Sequence, residues 1–344
     1  MENNTVLVNG MGNIGTSLIN LLLRYQSALA IDQIYAAKRS FHEWQRAELN
    51  LLEEKGVKII ALDNDDSSHP NRPVLEDILP LVDYIFEATA NGVGMANLSK
   101  YKKLSNLKGA CAQGSEKGFG IPFMAGVNEE EIRQEKFVQI VSCNTHGSAA
   151  LLNAFTGSDL QDLNEADMVV VRRSEDLGNH LRLVSANVVA RHLDSTAGTH
   201  HSIDVIDLYK TRGIECQLTS SDITTPSQLM HAVRFHIELK SPLKEDVNTI
   251  LARQPFLATT KKFDSNVIFE LGRRYGFGGR IYAHAIVLSE NLLLTDHSIK
   301  GWAFVPQEGN TLLSSLRAYI LQGMISNGDE VFERICQDLM QKEW

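Results

Sequence analysis

The chain begins with TVLVNGMGNIGTSLINLLL, residues 5–23, in which an apolar β-branched run, a glycine-rich turn and a leucine-rich helical pattern follow one another. Its glycines have the spacing Gly10-x-Gly12-x-x-Gly15, which serves a tight turn, a close approach of the backbone to a pyrophosphate and close helix–strand packing. A glycine turn of some other α/β protein is the alternative. The flanking strand and helix favour a dinucleotide-binding turn.

The second predicted strand, residues 33–37, carries the information on cofactor choice. An acidic residue at its tip would bind the ribose 2′-hydroxyl, but the strand ends in Lys38-Arg39-Ser40, and Asp32 comes too early. Ammonium and guanidinium groups make charge-assisted hydrogen bonds to phosphate, so this tip favours NADP over NAD. A solvated basic loop is the alternative.

Strands and helices alternate through the first 141 residues. Apolar runs at 57–62, 82–89 and 137–141 predict further buried strands of a parallel sheet. Ligands of such sheets collect at the carboxyl ends of the strands, so the loops after Ala88, Cys111 and Val141 are expected at one crevice. Beyond residue 150, strands such as 167–171 and 235–240 are β-branched or alternate in polarity, which predicts a second, α+β domain with a mixed or antiparallel sheet.

Composition bounds the class of protein. With 344 residues, 43% of them hydrophobic, the chain is long enough for about two domains. A net charge of −9 argues against a nucleic-acid partner. The cysteines at 111, 143, 216 and 336 show neither metal-ligand nor disulfide spacing, which predicts free thiols and no metal site. Without a signal-peptide or membrane-span pattern, the sequence predicts a soluble, cytoplasmic protein.

Residues 142–147, SCNTHG, lie between a predicted strand and a predicted helix that continues to Phe155. Cys143 is therefore expected at a helix N-terminus, where free N–H groups and the positive end of the helix dipole lower a thiol's pKa and can hold an oxyanion. The alternative is a small buried cysteine that only fills space. Because the same chain carries a dinucleotide-binding glycine turn, we favour a reactive thiolate.

Three further polar sites lie in the second half of the chain. They are Arg172-Arg173 directly after a strand, His200-His201 in a Thr/Gly-rich loop, and His231. Each taken alone is typical of a solvated surface group. Together with a candidate thiolate, they suggest one functional site.

Several islands of sequence occur in the order and approximate spacing of the archaeal-type (type II) glyceraldehyde-3-phosphate dehydrogenases, and the chain resembles that family over nearly its whole length. The islands are Asn9–Gly15 (NGMGNIG), 113–117 (QGSEK), Val141–Gly147 (VSCNTHG), Val171–Arg173 (VRR), His200-His201, Leu229–His231 (LMH) and 306–308 (PQE).

The resemblance implies a mechanism and a set of residues. Cys143 would form a thiohemiacetal with glyceraldehyde 3-phosphate, and His231 would be the acid/base as hydride leaves for the nicotinamide. Inorganic phosphate would then release 1,3-bisphosphoglycerate from a thioester. The expected substrate contacts are Ser142, Asn144, Thr145, His146, Arg172, His200 and His201. The expected cofactor contacts are Gly10, Gly12, Asn13, Ile14, Gly15, Lys38, Arg39, Gly114, Arg173 and Gln307.

The resemblance also implies an organisation of the chain. Residues 1–141 plus 308–344 would form a Rossmann-type dinucleotide-binding domain with returning C-terminal helices, and residues 142–307 the catalytic domain. It further implies a glycolytic, cytoplasmic homotetramer.

Three departures from the family pattern leave the substrate open. His146 replaces a threonine, Ser115 replaces a glycine, and the sequence around His200-His201 differs from the usual one. His146 could bind phosphate or shift the pH profile. The alternatives are an NADP-dependent dehydrogenase or reductase of another phosphorylated aldehyde or semialdehyde, and a non-catalytic dinucleotide-binding relative.

Overall fold

The computed structural model describes residues 4–62, 72–114, 116–174, 186–226, 229–306 and 308–344. It divides into two compact units. The nucleotide-type unit comprises Met1–Phe123, Glu129–Ile140 and Ser314–Ile335; the cysteine-bearing unit comprises Met124–Asn128, Val141–Leu313 and Cys336–Trp344. No described helix combines the length and the apolar character that a membrane crossing requires.

The nucleotide-type unit is built on a parallel sheet. Its described strands are β1 (Asn4–Asn9), β2 (Ile31–Lys38), β3 (Lys58–Ala61), β4 (Tyr84–Glu87), β5 (Gly109–Gln113), β6 (Ile121–Phe123) and β7 (Phe137–Ile140). They are ordered β3-β2-β1-β4-β5-β7-β6. The order reverses on either side of β1, as in dinucleotide-binding folds, so the carboxyl ends of β1 and β4 flank a topological switch point.

Helices connect these strands. They are α1 (Asn13–Arg24), α2 (Arg46–Glu54), α3 (Leu75–Ile78) and α4 (Val93–Tyr101). The face of α1 that carries Leu18, Leu21 and Leu22 is fully buried, which follows from their spacing of three and four residues. The predicted Rossmann-type parallel sheet is confirmed.

The cysteine-bearing unit has a mixed sheet. Its described strands are β8 (Leu163–Arg173), β9 (Val188–Val189), β10 (Leu218–Thr225), β11 (His231–Leu239), β12 (Leu257–Thr260), β13 (Ala285–Leu288), β14 (Leu293–Thr295) and β15 (Ser298–Val305). The order is β12-β13-β15-β11-β8-β10-β9, and β14 pairs with β15. Two pairs, β8–β10 and β12–β13, are parallel, whereas β11 runs antiparallel to both neighbours. The predicted α+β second sheet is confirmed.

Helix α5 (Cys143–Thr156) packs into the core of this unit. Twelve of its fourteen residues are buried, among them Ala149, Leu151 and Leu152. A helix that is buried all round lies in the core of a unit and not on its surface. The other described helices wholly within this unit are α6 (His200–Lys210), α7 (Val247–Arg253) and α8 (Ser265–Tyr275). Two more, α9 (Gly309–Tyr319) and α10 (Gly328–Leu339), contain residues of both units.

Two local predictions are wrong. His200-His201 do not lie in a loop but open α6, because Gly198, with φ of +90°, ends the preceding turn and Thr199 takes the extended conformation of an N-cap. Arg172-Arg173 do not follow a strand but are the last two residues of β8. His231 is the first residue of β11, so all of these side chains sit at the ends of regular elements, which hold side chains more rigidly than loops do.

Candidate active site

Cys143 is the first residue of α5, and its side chain is half-buried. Ser142 precedes it as the N-cap: its Oγ accepts a hydrogen bond from the Thr145 backbone N–H at 3.3 Å and lies 2.9 Å from the Thr145 Oγ1. The thiol thus lies in the first turn of a helix, at the positive end of the dipole. The hydroxyls of Ser142 and Thr145 stabilise that turn.

His146 and His284 form a buried pair behind the first turn. The His146 ring is fully buried, with Nδ1 2.9 Å from the Ser142 carbonyl oxygen, and meets the His284 ring edge-on at 4.9 Å between centroids. Burial lowers the pKa of His146 to about 4. The ring is therefore neutral at physiological pH, and its placement favours a structural role over the predicted phosphate contact.

His284 was not singled out from the sequence. Its ring is fully buried and stacks on Phe256 at 4.5 Å, and neither ring nitrogen has a hydrogen-bond partner among the described residues. Burial, and then His146, hold its pKa well below the usual value. The Asn310 Nδ2 donates to the Cys143 carbonyl oxygen at 3.1 Å and to the His284 carbonyl oxygen at 3.4 Å. Asn310 thereby links the backbone of the cysteine turn to that of the buried histidine.

His231 lies at the start of β11, on the sheet beneath α5. It pairs with Val305 of β15, and Val305 in turn packs against Gly147, one helical turn from Cys143, so closely that a Cβ at Gly147 would stand 2.7 Å from the valine Cγ2. The register of two strands and the lack of a side chain at Gly147 bring the cysteine turn towards the end of the strand that carries His231.

A backbone hydrogen bond defines the state of the His231 ring. The Arg173 backbone N–H donates to His231 Nδ1 at 3.2 Å. Because Nδ1 is the acceptor, the proton of the neutral ring is assigned to Nε2. Burial, followed by the charges of Arg173 and Arg172, lowers the His231 pKa to about 3. The ring is thus a neutral imidazole whose Nε2 is a donor.

Arg172 and His201 surround a buried carboxylate, that of Asp222. Its side chain is fully buried, with Oδ2 3.5 Å from His201 Nε2 and Oδ1 3.7 Å from Arg172 Nη1. Burial, and then His200, Arg172 and His231, lower the pKa of His201 to about 2. Both Arg172 and His231 contribute to the lowered pKa of His201, so the three side chains lie close enough to interact electrostatically.

Sequence reasoning missed Asp222. It lies within LTSSDITT, residues 218–225, where alternating polar residues are typical of a strand with one wet face. The available signal was an aspartate in a β-branched strand, and it becomes informative only once β10 is known to lie parallel to β8, the strand that carries Arg172.

Arg173, a predicted cofactor contact, is buried and donates from Nη1 to the Leu229 carbonyl oxygen at 3.0 Å. It lines a cavity together with the ion pair between Arg280 Nε and Glu308 Oε2, 2.8 Å apart. Glu308 has a positive φ of 69°, a costly conformation for a residue with a side chain. The predicted contact Gln307 lies outside the described residues.

Two other predicted substrate contacts lie deeper. Asn144 is buried, and its Oδ1 has no hydrogen-bond partner among the described residues. Thr145 is fully buried, with its hydroxyl directed to Ser142. Of the predicted substrate set, Ser142, Arg172 and His200 are partly open to solvent.

The glycine turn of the nucleotide-type unit has the geometry that its spacing predicts. Gly10 has φ of +102°, and a Cβ there would stand 2.6 Å from the Ala88 carbonyl oxygen. A Cβ at Gly15 would stand 1.8 Å from the Gly10 carbonyl oxygen, whereas one at Gly12 would have no neighbour within 4 Å. Folding therefore requires the first and third glycines, while the second leaves open space before α1, which starts with Asn13 and Ile14.

The basic tip of β2 adjoins this turn. The Gly10 N–H donates to the Ala37 carbonyl oxygen at 3.1 Å, so Lys38 and Arg39 follow directly beside the turn. Lys38 is half-buried, which lowers its pKa, while Glu48 raises it; Arg39 is exposed. Gly114 follows β5 with φ of +61°. These residues share the carboxyl edge of one sheet.

Behind the turn, Glu87 is a fully hydrogen-bonded buried carboxylate. Its Oε2 accepts from Tyr101 Oη at 2.6 Å and Asn9 Nδ2 at 2.9 Å, and its Oε1 accepts from the Thr89 backbone N–H at 3.1 Å. A satisfied network of this kind fixes the strand ends β1 and β4. This unit thus buries a carboxylate, that of Glu87, whose two oxygens both accept hydrogen bonds.

Comparison with known proteins finds no matching family model. Curated relatives do match: the glyceraldehyde-3-phosphate dehydrogenase of Methanococcus maripaludis is 24% identical over 319 residues, 89% of this chain and 90% of the relative. That of Saccharolobus islandicus is 27% identical over 276 residues, 78% of this chain and 76% of the relative. The resemblance predicted from the sequence islands is therefore confirmed: along most of its length this chain is similar to archaeal glyceraldehyde-3-phosphate dehydrogenases.

Proposed function

We propose that this chain oxidises glyceraldehyde 3-phosphate to 1,3-bisphosphoglycerate with inorganic phosphate and NADP or NAD, through a thioester on Cys143. The observation that carries the proposal is the half-buried thiol in the first turn of α5, in the same unit as the neutral imidazole of His231. The similarity to archaeal enzymes of that name supports the choice of reaction.

The first step uses the thiolate of Cys143. Its sulfur attacks the aldehyde carbon, and the carbonyl π electrons move to oxygen to give an alkoxide. The nicotinamide ring supplies a hydride acceptor when it is bound. Once the hydride has left the former aldehyde carbon, the alkoxide electrons re-form the carbonyl, and Cys143 carries a thioester.

His231 acts in this scheme as a hydrogen-bond donor to the alkoxide. With Nδ1 occupied by the Arg173 N–H, the neutral ring presents Nε2–H, so it cannot take the thiol proton at that nitrogen. A donor aimed at a developing oxyanion stabilises the alkoxide that forms when the thiolate adds to the aldehyde, and the oxyanion that forms when phosphate adds to the thioester. We therefore propose for His231 the role of an oxyanion donor, beside the acid/base role that the resemblance implies.

The last step needs a second anion next to the first. Inorganic phosphate attacks the thioester carbonyl through one oxygen, and the Cys143 thiolate leaves. Arg172, with its partly exposed guanidinium, and the imidazoles of His200 and His201 are the groups that we propose to bind phosphate oxygens. The Asp222 carboxylate lies 3.7 Å from the Arg172 guanidinium and offsets part of its charge.

The dinucleotide would bind to the nucleotide-type unit through Gly10, Gly12 and the start of α1. The open space at Gly12 supports a close approach of the pyrophosphate to the backbone. Lys38 and Arg39 beside the turn support NADP as the preferred form.

The burial of His146 bears on the choice of substrate. This residue departs from the family pattern, and for that reason the sequence left another phosphorylated aldehyde open. Because its ring is fully buried against His284, His146 does not offer its side chain to a substrate. This removes one of the three reasons for considering another phosphorylated aldehyde.

The test is reduction of NADP and NAD in the presence of glyceraldehyde 3-phosphate and phosphate, for the wild type, Cys143→Ser and the matched control Cys336→Ser, whose half-buried thiol lies on α10. We expect loss of at least about a thousandfold in kcat for Cys143→Ser alone. Retained activity in that variant, or none in the wild type with cofactor binding intact, would contradict the proposal.

A further inference from the structure

Three metal-type donor groups converge beside α6. His200, His201 and Asp222 each offer one ligand atom, and these atoms all lie within 4.8 Å of one another. His200 and His201 come from the first turn of the helix, with ring centroids 3.9 Å apart, and Asp222 comes from the neighbouring strand β10. Two imidazole nitrogens and a carboxylate oxygen form a ligand set that no cysteine or histidine spacing in the sequence indicates.

The buried members of the set lack hydrogen bonds. His201 is 3% exposed and the Asp222 side chain is fully buried, yet neither ring nitrogen of His201 and neither carboxylate oxygen of Asp222 has a hydrogen-bond partner among the described residues. The distance from His201 Nε2 to Asp222 Oδ2, 3.5 Å, is longer than that of a good hydrogen bond. Buried polar atoms of this kind cost free energy unless a ligand satisfies them.

The donors are held on a rigid frame. The Thr199 N–H donates to the Ser220 carbonyl oxygen at 3.0 Å, and the Ser202 N–H donates to the Ser220 Oγ at 3.0 Å. These bonds fix the first turn of α6 to β10 on both sides of the histidine pair. A site supported in this way keeps its geometry when a ligand binds.

We propose that His200, His201 and Asp222 bind a divalent transition-metal ion, with Zn²⁺ as the best match. Two neutral imidazoles and one carboxylate are a common zinc ligand set, which leaves a fourth position for water or an anionic oxygen. Mg²⁺ and Ca²⁺ prefer sites made entirely of oxygen, so the imidazoles select against them.

The positive charge of Arg172 opposes the binding of a cation at this site. Its Nη1 lies 3.7 Å from the Asp222 carboxylate, so its charge competes with a metal for the same oxygen. The side chain is 38% exposed, which lets it turn towards solvent when the site fills. Removing this charge should therefore tighten metal binding, an effect that a merely structural histidine–aspartate contact would not produce.

The metal inference goes beyond the proposed function. The phosphate contacts proposed for His200 and His201 would use the same ring nitrogens, so direct phosphate contact and metal ligation are alternative states of the site. Direct binding of Zn²⁺ needs no turnover. Its outcome is therefore independent of whether the chain oxidises glyceraldehyde 3-phosphate.

The experiment is a calorimetric titration of the full chain with Zn²⁺ alone, in a Cys143→Ser background that removes the competing thiol. We expect Asp222→Asn and His200→Gln to weaken binding at this site about tenfold or more, and Arg172→Gln to strengthen it. His42→Gln is the control, because His42 is an exposed histidine of the other unit and should change nothing.

His200→Gln keeps the test decisive if Asp222→Asn fails to fold, since the His200 side chain is partly exposed. Circular dichroism of each variant establishes folding before titration. Equal Zn²⁺ affinity in the background protein, His200→Gln and Arg172→Gln would overturn the proposal, as would the absence of any Zn²⁺ binding.

Discussion

The two units bury polar groups of different kinds. The nucleotide-type unit buries the carboxylate of Glu87, which several donors satisfy, and its one described histidine, His42, is exposed. The cysteine-bearing unit buries four described histidines, all with lowered pKa values: His146, His201, His231 and His284. One unit thus fixes a backbone around a glycine turn, and the other buries neutral imidazoles in the unit that carries Cys143.

This difference follows from the proposed tasks. Binding a pyrophosphate needs backbone N–H groups at fixed positions, so the buried carboxylate holds strand ends in place. An uncharged donor can stabilise an alkoxide without attracting the anionic phosphates to itself. A buried imidazole close to arginines is such a donor, because burial and positive neighbours disfavour the imidazolium. Predictions that separate the two units test this division.

Among the changes that separate the two units, the largest effect is expected at His231. His231→Ala removes the proposed oxyanion donor and should lower kcat about 100- to 1,000-fold, whereas His231→Gln, which keeps an N–H donor, should retain more activity. Because its pKa is lowered to about 3, His231 should not titrate between pH 5 and 8. Steady-state kinetics across that range checks both points. A wild-type kcat that falls below pH 6.5 and loses this dependence in His231→Gln would contradict the donor role.

The next effect concerns the glycine turn. Gly15→Ala places a Cβ against the Gly10 carbonyl oxygen and should lower the free energy of unfolding by about 3 kcal/mol. Gly12→Ala has open space, so the protein should fold normally but bind NADP and NAD more weakly. Urea unfolding and fluorescence titration measure the two quantities. Equal losses of stability in the two variants would contradict the assignment of Gly15 to folding and of Gly12 to cofactor binding.

A smaller effect is expected in the pH dependence of stability. The folded pKa values of the buried histidines lie below the unfolded value of 6.5, so the unfolded chain binds more protons below that pH. The free energy of unfolding should therefore fall as pH drops from about 6.5 towards 4, by roughly 1.4 kcal/mol per pH unit for each such histidine. Urea unfolding at pH 7, 6 and 5 measures this slope.

Two variants assign that slope to the cysteine-bearing unit. His284→Phe keeps the stack on Phe256 and removes one buried titrating ring, so its slope should be shallower than that of the wild type. Ile85→Val, an apolar change at a fully buried position of the nucleotide-type unit, removes no titrating group and should leave the slope unchanged. Identical slopes in the wild type and His284→Phe would contradict the assignment.

The smallest effect concerns the cofactor. Lys38→Ala and Arg39→Ala should each weaken NADP binding about tenfold through the loss of a charge-assisted hydrogen bond, with little change for NAD. Equilibrium dissociation constants for both dinucleotides measure this selectivity. A parallel loss for NADP and NAD would show that the tip of β2 does not bind the 2′-phosphate.

The sequence was most informative where structure is local. The turn at Gly10–Gly15 and the helix N-terminus next to Cys143 follow from glycine spacing and from the apolar runs on either side, which lie within about ten residues. The parallel sheet pairs distant strands, but the alternation of strands and helices along the chain predicts it. The wrong placement of His200 came from reading Gly198 and Thr199 as loop residues, although they form the end of a turn and an extended N-cap.

The remaining features depend on contacts far apart in the chain. Asp222 matters because β10 lies parallel to β8 and brings it to Arg172, and His284 because the fold places it against His146. The state of His231 depends on a backbone N–H 58 residues away. No local pattern contains these pairings, so composition and periodicity could not predict them.

The central claim is that Cys143 carries the acyl group, and intact-mass spectrometry tests it most directly. The wild type is mixed with glyceraldehyde 3-phosphate and NADP in the absence of phosphate, and both the adduct and the first burst of NADPH are measured. We predict one phosphoglyceroyl group per chain, attached to Cys143, and a stoichiometric burst that Cys143→Ser lacks. An adduct on another residue, or a burst in Cys143→Ser, would contradict the account.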